Sequence, residues 1–332
     1  MRSILIGDRD SIYRVYSKET LAYLTKEATL SPDVVTYSML KDGSVLTDDV
    51  EYLFSTWGMP ALSEGEITAY FPKLKAVFYA AGSVKGFASP FLTRGVRISS
   101  AYAANAIPVA EYTVSQILLA AKGFFRSSAL YSRGEISEAK KIASAYPGNF
   151  AIRVGLVGAG MVGRTVCKLL KAFSLDLLVY DPYLSDDGAA ALGVQKASLE
   201  EIFSTCTVIS NHVPNIPETS RMFDYRLFSL MLPNATFINT GRGAQVVEEN
   251  LSRILRERAD LVALLDVTDP EPPRSDSPFF ALPNAILTPH IAGSLGNETW
   301  RMGEYMLEEF RHFATGLPLQ YEITLEMLPT LA

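Results

Sequence analysis

Apolar residues in the middle of the chain alternate between two rhythms. "IRVGLVG" (152–158) is a continuous apolar run rich in β-formers. "MVGRTVCKLLKAF" (161–173) spaces its apolar residues at the helical period, and "LDLLVYD" (175–181) is a second continuous run. Strand, helix and strand follow each other with links that fit only a compact βαβ unit. The alternation continues. "SLEEIFST" begins with Ser198 and has Glu201 three residues later, the pattern of a capped helix start. "TVISNHV" (207–213), "ATFINT" (235–240), "LVALLDV" (261–267) and "AILTPHI" (285–291) read as strands, and "VVEENLSRILRERA" (246–259) as an amphipathic helix. Apolar strands separated by helices predict a parallel sheet covered on both faces.

Residues 1–100 are less regular. "SILIGD", "VLTD", "YLFSTWG", "AVFYAAG" and "VRISSA" are candidate strands, and "SIYRVYSKETLAYLTKEA" is helical in pattern. A long helix at about 108–125, with Asn105 near its start and Pro108 in its first turn, joins the two regions. A second helix is expected at about 298–314, and the tail after Pro318 is expected to return to the first region. The fold class is therefore α/β with two domains: 1–103 with 315–332, and 104–314.

Composition narrows the function. Of 332 residues 48% are hydrophobic, enough for two cores. A net charge of −6 with no Lys/Arg block argues against nucleic acid or anionic membrane as partner. The N-terminus reaches Asp8 too early for a secretory leader, and no apolar run is long enough to span a bilayer. Cys167 and Cys206 lie among apolar residues and read as core thiols, without metal-ligand spacing. A reducing cytoplasm and no metal are expected.

"GLVGAGMVGR" places Gly158, Gly160 and Gly163 in G-x-G-x-x-G spacing between a strand and a helix. The first glycine permits a tight turn, the second lets a pyrophosphate approach the backbone, and the third lets helix pack on strand. The helix N-terminus offers free N–H groups to the phosphates. Asp181 ends the next strand, 18 residues beyond Gly163, where a carboxylate accepts from ribose hydroxyls and repels a 2′-phosphate. With no arginine in Pro182 or Tyr183, NAD is expected over NADP; opening a turn before Pro182 is the plainer role for Asp181.

"INTGRGAQVVEE" puts Arg242 at the carboxyl end of a strand. "LLDVTDPEPP" puts Asp266 at another and Glu271 in its loop, and "LTPHIAGS" puts His290 at a third. A cation, a carboxylate and an imidazole thus reach one sheet edge, where ligands bind parallel sheets. These segments resemble the D-isomer-specific 2-hydroxyacid dehydrogenases. "GLVGAGMVGR…VYDPY" resembles that family's cofactor motif and "NHVPNIPET" its His-x-Pro…Glu-Thr segment. "AANAIPVAEYT" resembles the start of its interdomain helix. The separations of 29 residues from Arg242 to Glu271 and 19 from Glu271 to His290 suit it.

The resemblance implies a Rossmann-type doubly wound sheet beside a smaller flavodoxin-like substrate domain, and NAD-dependent reduction of 2-keto acids. It implies that Arg242 binds the substrate carboxylate and carbonyl oxygen. His290 would donate the proton and Glu271 orient it. Gly158, Gly160, Met161, Val162, Gly163, Asp181, His212, Pro214, Thr240 and Asp266 would line the cofactor. For His212 cofactor lining is the leading reading and strand-end structure the alternative, and His312 reads as a surface residue. Ala81, Gly82, Ser83 and Val84 lie where the family has a substrate loop of backbone N–H groups, but Ser-Val-Lys replaces its Val-Gly-x-Asp-like sequence. Trp57 and Met59 either form an apolar wall for a bulky keto acid or pack in the small domain. No basic cluster awaits a substrate phosphate. Glu271 stands where formate dehydrogenases use glutamine. The alternative is an NAD-sensing corepressor of the same superfamily. A homodimer through the cofactor domain is also implied; "VAEYTVSQILLAAKGFF" and "YSRGEI" are consistent with it, while periodicity does not separate a dimer surface from a core face.

Overall fold

The computed structural model describes residues 2–330 and divides into two units, Met1–Asn105 with Ser294–Ala332, and Ala106–Gly293. In chain order the first holds β1 (Arg2–Ile6), α1 (Arg9–Val15), α2 (Lys18–Ala28), β2 (Leu30–Val35), α3 (Tyr37–Lys41), β3 (Val50–Ser55), α4 (Glu64–Tyr70), β4 (Ala76–Tyr79), α5 (Ala88–Thr93) and β5 (Arg97–Ser100). Helix α6 (Tyr102–Ala120) contains the first unit boundary. The second unit continues with α7 (Phe124–Ser132), α8 (Ile136–Ser144), β6 (Arg153–Val157), α9 (Met161–Leu170), β7 (Asp176–Tyr180), α10 (Asp186–Leu192), β8 (Gln195–Lys196), α11 (Leu199–Thr205), β9 (Val208–Asn211), α12 (Tyr225–Ser229), β10 (Thr236–Asn239), α13 (Glu248–Glu257), β11 (Val262–Leu265) and β12 (Ala285–Leu287). The chain then returns to the first unit with α14 (Glu298–Thr315) and β13 (Glu322–Ile323).

The second unit's sheet has the order β12-β11-β10-β9-β6-β7-β8, with every pairing parallel. Its strands are apolar on both faces because both are covered. Val157, Ile209 and Phe237 enter one core, while their neighbours Leu156, Val208 and Ile238 enter the other. The first unit's sheet, β13-β5-β4-β3-β1-β2, is parallel except for β13, which pairs antiparallel with β5. It is sandwiched in the same way, with Val77 and Tyr79 on one side and Ala76 and Phe78 on the other.

Several local expectations need correction. "VLTD" is a loop with Leu46 76% exposed, while the strand between the first two candidates is β2, at the sheet edge. The long apolar helix begins at Tyr102, so Pro108 lies inside it; the alanine-rich turn before the proline carries the helix upstream. The boundaries also shift: α14, expected with the second region, packs on α1, α2 and β4 of the first. Its Thr299 hydroxyl donates to the Arg14 carbonyl, and its buried Met302, Met306 and Phe310 enter that core.

The tail returns as expected, and a buried carboxylate holds it. Glu309, 1% exposed, accepts from the Gln320 and Tyr321 amides and from the Ser99 hydroxyl. Removing it leaves those donors unpaired. Glu309→Ala is expected to lower unfolding free energy by about 2–4 kcal/mol in urea titration, and to expose the chain after Gly316 to limited proteolysis. An unchanged midpoint and digestion pattern would contradict this role.

Candidate active site

Strands β10, β11 and β12 are parallel neighbours, so their carboxyl ends share one edge. Irregular loops leave each end, and buried polar groups fix their shape. Asp266, 3% exposed, immediately follows β11. Its carboxylate accepts from the Thr288 hydroxyl at 2.6 Å and from the Ile291 and Ala292 amides at 2.9 Å each. Its carbonyl accepts from the His290 amide at 3.0 Å. The loop is thus bent around Asp266, and His290 takes a left-handed φ of 54°. That conformation costs a non-glycine residue about 1–2 kcal/mol. Three side-chain hydrogen bonds at about 1 kcal/mol each outweigh it.

His290 is turned outward, its side chain 45% exposed, and Nδ1 lies 2.5 Å from Glu271 Oε1, whose side chain is 40% exposed. Among the described residues Nε2 has no protein partner. One ring nitrogen is oriented and the other is free for chemistry. Asp266 has both carboxylate oxygens engaged by this loop, so the structure adds a loop-holding role to the cofactor contact expected of it.

Arg242 leaves β10 in a Gly-Arg-Gly turn that only glycines permit. A Cβ on Gly241 would lie 2.7 Å from Gln245 Oε1, and one on Gly243 would lie 2.0 Å from the Thr268 carbonyl carbon. The second approach packs the arginine turn against the loop that carries Glu271. The half-buried Arg242 donates from one guanidinium nitrogen to the Gly241 carbonyl at 2.8 Å. No carboxylate pairs with it among the described residues, which leaves most of its five donors free.

The glycine turn after β6 has the shape a dinucleotide needs. Gly158 has φ 102°, and a Cβ there would meet the His212 carbonyl carbon at 2.8 Å. A Cβ on Gly163 would lie 2.1 Å from the Gly158 oxygen, so the third glycine sets the helix–strand distance. Nothing lies within 4 Å of a Cβ on Gly160, and no side chain caps α9, where Met161 and Val162 form the first turn. Open space faces unclaimed amides, which fits a pyrophosphate. Asp181 accepts from the Ala159 amide at 2.6 Å and the Tyr183 amide at 2.8 Å. It therefore holds both the glycine turn and its own.

His212 is half-buried, its Nε2 3.0 Å from the Ser210 hydroxyl, and burial pushes its pKa down to about 4. It is neutral at pH 7. Pro214 accepts from Gln245 and Thr219, and Thr240 lies 9% exposed with its hydroxyl 3.4 Å from that of Thr113 on α6. In the first unit, Ser100 donates to the Ala81 and Gly82 carbonyls, while the amides of Gly82, Ser83 and Val84 meet no protein acceptor among the described residues. Trp57 is half-buried, packs against both cores of that unit and carries the Arg14 guanidinium 5.3 Å above its ring. Met59 packs against one of those cores. His312 lies 3.1 Å from the Pro318 carbonyl, at the end of α14. The burial of Cys167 and Cys206 raises their thiols to about 11 and about 12, as core thiols require.

Sequence reasoning missed Asn211, Asn239 and Gln245, all completely buried beside Arg242. Polar residues at strand ends read as turn-formers, and only their joint position on adjacent strands reveals a cluster. The described residues hold no group of His, Cys, Asp and Glu suited to a metal, and no helix among them is long and apolar enough to cross a membrane.

A parallel sheet with a glycine turn at its switch point and an Arg, Glu–His set on its carboxyl edge defines a dinucleotide-binding α/β protein. Residues 114–292 match the model of the D-isomer specific 2-hydroxyacid dehydrogenase NAD binding domain, and the chain belongs to that family. The D-3-phosphoglycerate dehydrogenase of Archaeoglobus fulgidus is 30% identical over 232 residues, covering 70% of this chain and 44% of that protein. This chain thus spans less than half the length of that curated relative. A phosphoglycerate oxidoreductase from Rhizobium etli superposes with a TM-score of 0.81 at 23% identity, covering 98% of this chain and 99% of the other. The apo D-mandelate dehydrogenase of Rhodotorula graminis gives 0.80 at 20% identity and covers 97% of each chain. Both share the fold.

The neutral His212 makes stability depend on pH. Between about 4 and its ordinary value of 6.5 the unfolded chain binds a proton that the folded one refuses. His212 therefore contributes to loss of stability as pH falls from 6.5 through 4. Urea titrations across that window should show a shallower fall for His212→Gln than for wild type; equal slopes would place its imidazole in an unperturbed setting.

Proposed function

We propose that the protein is an oxidoreductase that interconverts 2-keto and 2-hydroxy acids with NAD, acting chiefly as a reductase. One observation carries this reading: His290 is held through Nδ1 by Glu271 at 2.5 Å while Nε2 has no protein partner among the described residues, on the edge that also bears Arg242, which has no carboxylate partner among them. That is the layout of an oriented proton donor beside an anion-binding fork. The family membership and the glycine turn support NAD as the cofactor.

When bound, the reduced cofactor supplies a hydride to the keto carbon. Arg242 would hold the carboxylate and the carbonyl oxygen, drawing charge toward that oxygen. As the C–H bond forms, the carbonyl π pair would take the Nε2 proton of imidazolium His290. The products are the 2-hydroxy acid, the oxidised cofactor and neutral His290, which regains its proton from water. Glu271 would keep the ring oriented through Nδ1. Oxidation reverses each step. Asp181 would accept from the ribose hydroxyls, supporting NAD over NADP. The amides of Gly82, Ser83 and Val84, which meet no protein acceptor among the described residues, are a second carboxylate-binding candidate.

Trp57 and Met59 support a preference for bulky apolar keto acids only in part, since both also pack in the small core. Phenylpyruvate should exceed pyruvate in kcat/KM if they line the pocket; a clear preference for pyruvate would remove them from it. Family resemblance supports a homodimer through the second unit. None of the residues of α7 is buried, and Phe124 and Tyr131 are 46% and 56% exposed. Light scattering should give twice the chain mass, falling to one chain in Tyr131→Asp.

The decisive variants are His290→Gln and Arg242→Ala. The first should lower kcat by about two to four orders of magnitude while NADH still binds. The second should raise KM for the keto acid and depress kcat together. Full activity in either would remove the site assignment.

A further inference from the structure

Three amide side chains behind Arg242 form a closed network. Asn211 ends β9, Asn239 ends β10, and Gln245 follows the arginine turn; all are completely buried. Asn239 accepts from the Gly241 amide and donates to the Arg242 carbonyl, at 3.0 and 3.1 Å. Gln245 Oε1 accepts from the Arg242 amide at 3.1 Å, and Nε2 donates to the Val213 and Pro214 carbonyls at 2.8 and 2.9 Å. Asn211 accepts from the Val213 amide and donates both its hydrogens, to Asn239 and Gln245. Each amide orientation is fixed independently, because a backbone N–H can only donate and a carbonyl can only accept.

From this geometry we infer that Gln245 and Asn211 are positioning residues that tie the Arg242 turn to the His212–Pro214 loop. The inference rests on the proposed roles of those two segments, since it deepens them: one side chain braces the substrate-binding arginine and the cofactor wall together. A hydrophobic pair would fill the same volume but could not grip two loops that expose amides and carbonyls. A buried network in which each side-chain amide both donates and accepts can hold such irregular backbone. No direct contact with substrate or cofactor is involved.

The test combines kinetics with amide hydrogen exchange. Gln245→Met keeps the side-chain length and removes both functions. Exchange should accelerate in segments 212–216 and 240–245 together, with the rest of the second unit unchanged. KM for the keto acid should rise about tenfold or more, the scale expected of a displaced binding group, with a smaller fall in kcat. Gln245→Glu retains the acceptor for the Arg242 and Asn211 hydrogens and loses the donors to Val213 and Pro214. It should loosen 212–216 alone, and it serves if Gln245→Met does not fold. Unchanged exchange and KM would overturn the inference, as would acceleration spread evenly over the unit. If wild type turns over no 2-keto acid, the functional reading fails, while the exchange pattern still decides whether the network binds the two loops together.

Discussion

The candidate active edge depends on the buried carboxylate of Asp266. Parallel strands bring the ends of β10, β11 and β12 to one side, but the groups that matter sit beyond those ends, in backbone with no ladder to hold it. Asp266 replaces the ladder. By accepting from Thr288, Ile291 and Ala292 it bends the chain until His290 adopts its left-handed φ and turns outward to Glu271. The imidazole is placed by backbone strain that a single buried acid compensates. The amides of Asn211, Asn239 and Gln245 hold the neighbouring arginine turn in the same manner. Gly243 completes the arrangement by letting that turn touch the Thr268 carbonyl.

The glycine turn follows the same economy. Asp181 braces it through the Ala159 amide, and Gly163 sets the spacing of α9 from β6. The chain's own contacts hold the turn, with open space at Gly160 and no side chain capping the first turn of α9.

Much of this was legible in the sequence, for physical reasons. Strands buried on both faces read as continuous apolar runs, so β6, β7, β9, β10, β11 and β12 were visible. Glycines required by contact, such as Gly158 and Gly163, fell in a recognisable spacing. Arg242 and His290 stand at strand ends and Glu271 in the loop after one, all in motifs, and the structure joins Glu271 to His290 directly. What failed depended on partners that periodicity does not name. The sequence predicts a helix at about 298–314, but not that it packs on α1 and α2. Edge strand β2 contains Pro32 and Asp33, residues tolerated only where one side is unpaired, so it escaped notice. The amides behind Arg242 read as turn residues because the links that join them, from Asn211 to Asn239 and Gln245 and from Gln245 to Val213 and Pro214, cross between segments far apart in sequence.

The central claim is that this edge directs hydride from the reduced cofactor to the second carbon of a keto acid, with His290 supplying the proton. The most direct measurement is to incubate the protein with NADH carrying deuterium at both C4 positions and a panel of 2-keto acids from glyoxylate to phenylpyruvate. Product would then be read by NMR. The account predicts a 2-hydroxy acid with deuterium at C2, in a single enantiomer where C2 is a stereocentre, and loss of nearly all of it in His290→Gln. A protein that binds NADH tightly yet transfers no deuterium to any member of the panel would contradict it.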